Sequence, residues 1–598
     1  MASSQVRFAL SLDYRRTVFK RARLMGRIKI LSDEVVRRIA AGEVIECPSS
    51  VVKELLENSL DAGAHKIDIT VEEGGKRKVV VSDDGCGMDA DDLRLALVSH
   101  ATSKISDEAD IYRIETLGFR GEALSSIRSV ASVEIKSRMK DSEHGWLIRA
   151  EAERIGEVLP CAMNCGTTVT VENLFFNLPA RKKFLRSEQF ETSRIIETVT
   201  KLALCHYDVA FRLTQKSQTL LNCPAVDGYL SRINGLFGGE TKDSLLEGQA
   251  EESDVCALVF VAPPYLSRTD ARIIYTFVNN RCVKEETARK ALKDAFKEHL
   301  PSQRYPVAFI YITLPPETID VNIHPTKEAV QIKKPALVYT AVRRAIDSAL
   351  SGVRRFYAGG ISSGLAERHR QIEQALSDYL KRNADVPTQK PLAVHFHSLK
   401  KQNEFVEETI PDGRFFVLHN AYIALETSEG FILIDQHALH ERLIYDRLRA
   451  LLAEQGLRLQ RLLVPITVRL DAVEVTVFQY NKALFKTLGI DAELNGTNLT
   501  ILSIPDLGVV QGEWENIVHQ MMSEIIEQPD RDYKTRLDNA LKTLACKAAV
   551  KAGEPLDSRE VYTLLSEARR CHIPATCPHG RPLIKRFPLS EVERWFKR

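Results

Sequence analysis

Residues 51–64, VVKELLENSLDAGA, place an acid, an amide and a second acid, Glu54, Asn58 and Asp61, where they can act together. At 100° per residue the three fall within about 60° of helical arc, while Val51, Val52, Leu55, Leu56 and Leu60 cover much of the remainder. A carboxylate can take a proton and an amide oxygen can hold a hard cation. The same spacing also describes an ordinary solvated helix face. Further along, VVVSDDGCGM runs an apolar strand into Asp83, then Gly85 and Gly87, where the backbone must turn tightly. A carboxylate at such a strand end can accept a hydrogen bond from an adenine amino group, although a lone D-x-G-x-G is often only a turn. In TLGFRGEALSSI, Gly118, Arg120 and Gly121 precede a helix, so free N–H groups and the helix dipole suit phosphates.

A second group lies near the other end of the chain. LIDQHALHERLIYDRL ends a strand at Asp435 and begins a helix on which His437 and Glu441, at i and i+4, share a face. Cys546 follows in ACKAAVKAGEPL, and Cys577 and His579 in CPHGRPLIKRF. One histidine on a helix is more often structural than ligating. Three segments rich in His, Cys and carboxylate change that balance, and thiolate with imidazole suits Zn²⁺ or Mn²⁺ better than Ca²⁺.

The elements that must position these groups are those of an α/β chain. At 598 residues it is too long for one core, and its composition, 44% hydrophobic and 27% charged, is that of a globular protein. A net charge of +2 does not mark a strongly basic nucleic-acid binder, and no apolar run approaches the roughly 20 residues that span a bilayer. Eleven scattered cysteines do not form a disulfide framework, which points to a reducing, intracellular setting. Residues 1–24 are basic, and are read as lying upstream of a translation start at Met25 rather than as a transit peptide. Residues 25–225 and 226–352 read as two α/β domains, 353–410 as a flexible linker, and 411–598 as an α+β domain.

In order and spacing these motifs resemble the Bergerat-fold (GHKL) ATPases shared by gyrase, Hsp90, histidine kinases and MutL. The strings IAAGEVIECPSSVVKELLENSLDAGA, HATSKI, GFRGEAL and NLPARKKF are similar to MutL proteins specifically. The resemblance implies an ATPase domain, a ribosomal-protein S5-like transducer domain, and DNA mismatch repair. It makes Glu54 the general base for hydrolysis and Asn58 a ligand of Mg²⁺. Asp61 shapes the pocket, and Asp83 reads adenine beside Gly85 and Gly87. Thr102, Ser103, Lys104, Gly118, Arg120 and Gly121 form a lid over the phosphates of ATP, and Thr168 and Lys327 complete the set. Position 84 is Asp where many relatives carry Asn, a departure that leaves Asp83 and both glycines in place.

The C-terminal strings resemble the endonuclease domain of MutL proteins that nick DNA. Asp435, His437, Glu441, Cys546, Cys577 and His579 are then metal-site candidates, with Asp435 and Glu441 serving strand scission. The family pattern closes on Glu where this chain has Asp446, while Cys571 and His572 have no match and are read as structural. The resemblance also implies a cytoplasmic bacterial homodimer acting on double-stranded DNA with little sequence preference, alongside the mismatch-recognition protein MutS. LQRLLVP, Gln460 to Pro465, resembles the peptide that docks on the replicative sliding clamp, although a buried strand entering a turn explains the same letters. The alternative from another class is an ATP-dependent matchmaker that never cuts. A topoisomerase or kinase would need a cleavage tyrosine apparatus or a phosphoacceptor domain, and neither is recognisable.

Overall fold

The computed structural model describes residues 45–596, leaving aside 105–115, 119–120, 153, 239–244, 269, 298, 301–303, 321–329, 359–412, 455, 458, 508–513, 550–555 and 572–575. The expectations for residues 1–24, Arg120, Lys327, His572 and nearly all of the linker therefore lie outside the described residues. What is described forms two compact units, divided between Leu185 and Arg186.

In the first unit, helix α1 (Pro48–Asp61) starts with a proline in its first turn, where the missing N–H costs nothing. It buries Val51, Val52, Leu55 and Leu56, and Glu54, Asn58 and Asp61 remain half-buried on the other side. Strands β1 (Lys66–Glu72) and β2 (Lys78–Asp83) pair antiparallel, with Ile69 opposite Val81. Their alternation is that of a sheet with one covered face: Ile67, Ile69, Val71, Val79 and Val81 are all buried. After helix α2 (Ala123–Val130) come β3 (Ser132–Arg138), β4 (Gly145–Glu151) and β5 (Gly166–Glu172). These strands lie in the order β4-β3-β5-β2-β1. Because β5 sits between β3 and β2, Thr167 faces Asp83 and Thr168 faces Ser82 across the ladder.

The second unit opens with helix α3 (Glu188–Cys205), whose N-terminus Ser187 caps. Its first sheet runs β6 (Leu246–Glu252), β7 (Val255–Val261), then β9 (Ala308–Thr313), β8 (Ile274–Val278) and the short strand Arg281–Cys282. β8 and β9 are parallel, so the chain between them must cross over, and helix α4 (Glu286–Phe296) lies in that connection. Helix α5 (Pro335–Ala358) packs on β6 and β7.

After residue 412 a four-stranded antiparallel sheet orders β10 (Phe415–Leu418), β11 (Tyr422–Thr427), β12 (Gly430–Asp435) and β16 (Ile584–Pro588). Helix α6 (Gln436–Glu454) follows β12 directly. A second sheet, β13 (Leu459–Arg469), β14 (Asp491–Asn495) and β15 (Asn498–Pro505), packs with α7 (Ala472–Thr487), α8 (Trp514–Glu527) and α9 (Tyr533–Ala548) around the fully buried Trp514. Helix α10 (Ser558–Arg570) joins the first sheet in a core of Ile423, Ile434, Leu439, Leu565 and Cys577. Among the described residues no helix is long and apolar enough to cross a membrane.

Candidate nucleotide site and metal centre

Asp83 closes β2 and is held from three directions. Its Oδ2 accepts the Ser59 hydroxyl at 2.7 Å, and its Oδ1 accepts the N–H groups of Gly85 at 3.0 Å and Thr167 at 3.1 Å. Burial raises the carboxyl above its ordinary range, and the three donors work against that rise. The turn that follows depends on glycine. Gly87 sits at φ +74°, and a Cβ there would lie 2.2 Å from the Arg138 carbonyl oxygen. Gly87→Ala should therefore destabilise this unit by about 1–3 kcal/mol, read as a lower melting temperature, because left-handed backbone and a clash combine.

Thr168, which the sequence assigns to the nucleotide, exchanges a hydrogen bond with the Ser82 hydroxyl at 2.8 Å. Ser59 and Thr167 contact Asp83, and sequence reading passed over both. Their only signal is that Ser59 lies on α1 one residue after Asn58, and that Thr167 lies in the Gly-Thr-Thr string. Asp84 accepts the N–H groups of His65 and Lys66 at 2.8 and 2.9 Å, so it fastens the start of β1.

The stripe on α1 faces the two loops the sequence singles out. Lys104 Nζ donates to Asn58 Oδ1 at 2.9 Å and to Asp61 Oδ2 at 2.5 Å. Asp61 also accepts the N–H of Leu117 at 2.9 Å and that of Gly118 at 3.1 Å. Its side chain is 7% exposed, so this ion pair is shielded from water and screened less by salt than a surface pair. A Cβ on Gly118 would lie 3.2 Å from Lys104 Nζ, which shows how closely the loop approaches. His100 N–H donates to Gly121 O at 3.0 Å, which ties the 100–104 loop to Gly121, and Lys104 N–H donates to Thr102 Oγ1 at 3.2 Å within that loop. Ser103 is exposed, and Glu54 lies half-buried one turn before Asn58. An ammonium and two backbone N–H groups converging on one carboxylate are donors that a phosphate oxygen would also accept.

In the second unit Glu441, Cys577 and His579 come together, their ligand atoms all within 4.8 Å of one another. His579 Nδ1 lies 2.5 Å from Glu441 Oε1, and this carboxylate is the main cause holding the imidazole above its ordinary proton affinity. The tight turn between Cys577 and Arg581, closed by Cys577 N–H to Arg581 O at 2.8 Å, presents thiol and imidazole on one side. On α9, burial pushes the Cys546 thiol up, and the Glu441 charge adds to that rise. Asp435 and His437 are not among the three residues that meet. Asp435 Oδ1 caps α6 by accepting the Ala438 N–H at 2.9 Å, and His437 lies near His440, whose proton affinity burial lowers first and His437 second. Asp446 is held by Arg442 through two contacts of 2.8 Å. One thiol, one imidazole and one carboxylate at this spacing fit a borderline-soft divalent ion.

The strand-end carboxylate, the acid–amide stripe and the two glycine-bearing loops define an ATPase of the gyrase and Hsp90 class. Residues 45–156 match the family described as histidine kinase-, DNA gyrase B- and HSP90-like ATPase. Residues 233–351 match the C-terminal domain of DNA mismatch repair proteins, and residues 415–556 the MutL C-terminal dimerisation domain. The DNA mismatch repair protein MutL of Geotalea daltonii is 33% identical over 96% of this chain and 100% of its own length. That of Symbiobacterium thermophilum is 35% identical over the same shares. The ADP-complexed ATPase domain of Aquifex aeolicus MutL is 28% identical over 50% of this chain and 98% of its own, with a TM-score of 0.37. The chain belongs to the MutL family of DNA mismatch repair proteins. It carries that family's ATPase domain, which binds ATP, and its C-terminal dimerisation domain.

Proposed function

We propose that this chain is an ATP-gated mismatch-repair endonuclease, divided into residues 25–225, 226–352, 353–410 and 411–598 as the sequence suggests. Asp83 receives the adenine amino group. The phosphates compete with Asp61 for Lys104 Nζ and the N–H groups of Leu117 and Gly118, with Thr102, Ser103, Arg120, Gly121 and Lys327 closing over them. Glu54 takes a proton from the water that attacks the γ-phosphorus, and the bond to the β-phosphate oxygen breaks as that oxygen leaves. Mg²⁺ at Asn58 Oδ1, the oxygen Lys104 now engages, would neutralise phosphate charge. Thr168, bonded to Ser82 beside Asp83, completes the nucleotide set.

The observation that carries the nuclease reading is the meeting of Glu441 with Cys577 and His579, from two segments far apart in sequence, at ligand distance. These residues, together with Cys546, would hold Zn²⁺ or Mn²⁺, and Asp435 and His437 would position the helix that carries Glu441. The ion would supply an activated water and offset charge on the scissile phosphate. Nicking of supercoiled plasmid in the presence of Mn²⁺ tests this, since the matchmaker alternative predicts none.

The partners follow from the same reading: double-stranded DNA held with little regard to sequence, MutS, a second copy joined through residues 411–598, and a cytoplasmic bacterial setting. The sliding clamp would dock on LQRLLVP. There β13 loses register between Arg461 and Ile466, Leu463 is 91% exposed and Val464 70% exposed, which opposes the buried-strand reading of these letters. Replacing Leu463 and Val464 together by serine should weaken clamp binding at least ~10-fold by surface plasmon resonance, with little change in melting temperature.

A further inference from the structure

Charged side chains that neither chemistry uses meet within the second unit. Arg268, Asp270 and Arg272 lie in the loop before β8, Asp471 and Glu474 open α7, and His519 and Ser523 stand on α8. Arg268 Nη2 reaches Glu474 Oε1 at 2.9 Å, Arg272 Nη2 reaches Asp471 Oδ2 at 3.0 Å, and Arg272 Nη1 lies 3.6 Å from Glu474 Oε1. The Ser523 hydroxyl donates to Asp270 at 2.8 Å, and His519 Nδ1 shares Glu474 Oε1 at 2.9 Å. Nearby, Gln218 Nε2 donates to Gln479 Oε1 on α7 at 3.1 Å. The Glu474 side chain is 0% exposed and those of Arg268 and Arg272 are 16% and 21% exposed, so these charges are withdrawn from water.

The two carboxylates divide their oxygens. Asp471 Oδ1 accepts the Glu474 N–H at 2.8 Å and Glu474 Oε2 accepts the Asp471 N–H at 3.0 Å, which closes a capping box. Asp471 Oδ2 and Glu474 Oε1 turn to the arginines. Helix α7 is therefore capped whether or not the arginines are in place. The arginine contacts join residues on opposite sides of 359–412, and a buried charge cluster is stable only while every member keeps its partners.

We propose that this cluster is an ionic latch: the face carrying Arg268 and Arg272 is a docking surface for the chain's own C-terminal domain at α7 and α8. The tether makes docking intramolecular, so a modest affinity suffices. Its ionic character makes it specific in register and releasable, and capping leaves the released C-terminal domain folded.

The test uses the full chain with Gln218→Cys and Gln479→Cys, following the engineered disulfide by peptide mass spectrometry under mild oxidation. The bond should form within one chain, and at least ~10-fold more slowly when Arg268→Gln and Arg272→Gln are added, since truncating buried charge partners is costly. The unmutated arginines in about 1 M salt, where the screening length falls to about 3 Å, should also slow it, and this arm does not depend on the variants folding. Equal rates in every arm, or a bond formed between two chains, would overturn the latch.

Discussion

A Glu54→Ala chain is expected to bind ATP nearly as well as the unaltered protein and to hydrolyse it at least ~100-fold more slowly, the usual scale for losing a general base. The substitution leaves the binding contacts alone. Asp83 is held by Ser59, Gly85 and Thr167, and Lys104, Leu117 and Gly118 gather around Asp61. Glu54 is half-buried in mid-helix, where alanine is the best helix former, so α1 should persist. Phosphate release and equilibrium nucleotide binding, measured on the same preparation, separate the two effects. Hydrolysis at the unaltered rate would remove Glu54 from the chemistry, and loss of binding in step with hydrolysis would make it a structural residue.

His579→Ala is expected to weaken divalent-metal binding at least ~10-fold while leaving ATP hydrolysis unchanged. The imidazole is the natural residue to remove. Its side chain is 43% exposed, so truncation leaves no cavity, whereas Cys577 belongs to the core beneath β12 and α10. Losing it deprives Glu441 Oε1 of its partner and the ion of a nitrogen ligand. Metal content by mass spectrometry and affinity by competition with a chromogenic chelator provide the readout. Full metal occupancy in His579→Ala would mean the ion lies elsewhere.

Helical periodicity alone made the α1 stripe legible, because positions four residues apart must share a face wherever the helix packs. The strand ending at Asp83 was legible for a similar reason, an apolar run broken by two glycines. What periodicity cannot supply is register between distant strands. Thr167 rather than Thr168 meets Asp83 because β5 pairs with β2 in one register, and a shift of one residue would put Thr168 opposite Asp83. Ser59 was obscured differently: a hydroxyl inside a helix ordinarily turns back on its own backbone, and only tertiary contact shows it reaching Asp83. At the candidate metal centre, composition pointed to residue types but not to their grouping. The turn at Cys577 to Arg581 brings its two donors to Glu441, while Asp435, first in the sequence string, is engaged by the α6 N-terminus. The Arg268–Glu474 cluster had no sequence signal, since five charged residues spread over two separate stretches look like ordinary surface.

The central claim, two chemistries on one chain at separate sites, is tested most directly by incubating the purified full-length protein with supercoiled plasmid and Mn²⁺, alongside a Glu441→Ala chain, and scoring relaxed circles while ATP hydrolysis is followed in the same tubes. Nicking is expected from the unaltered chain, none above background from Glu441→Ala, and equal ATP hydrolysis from both. Equal nicking by the two chains, or no nicking by either at full ATPase activity, would contradict that claim.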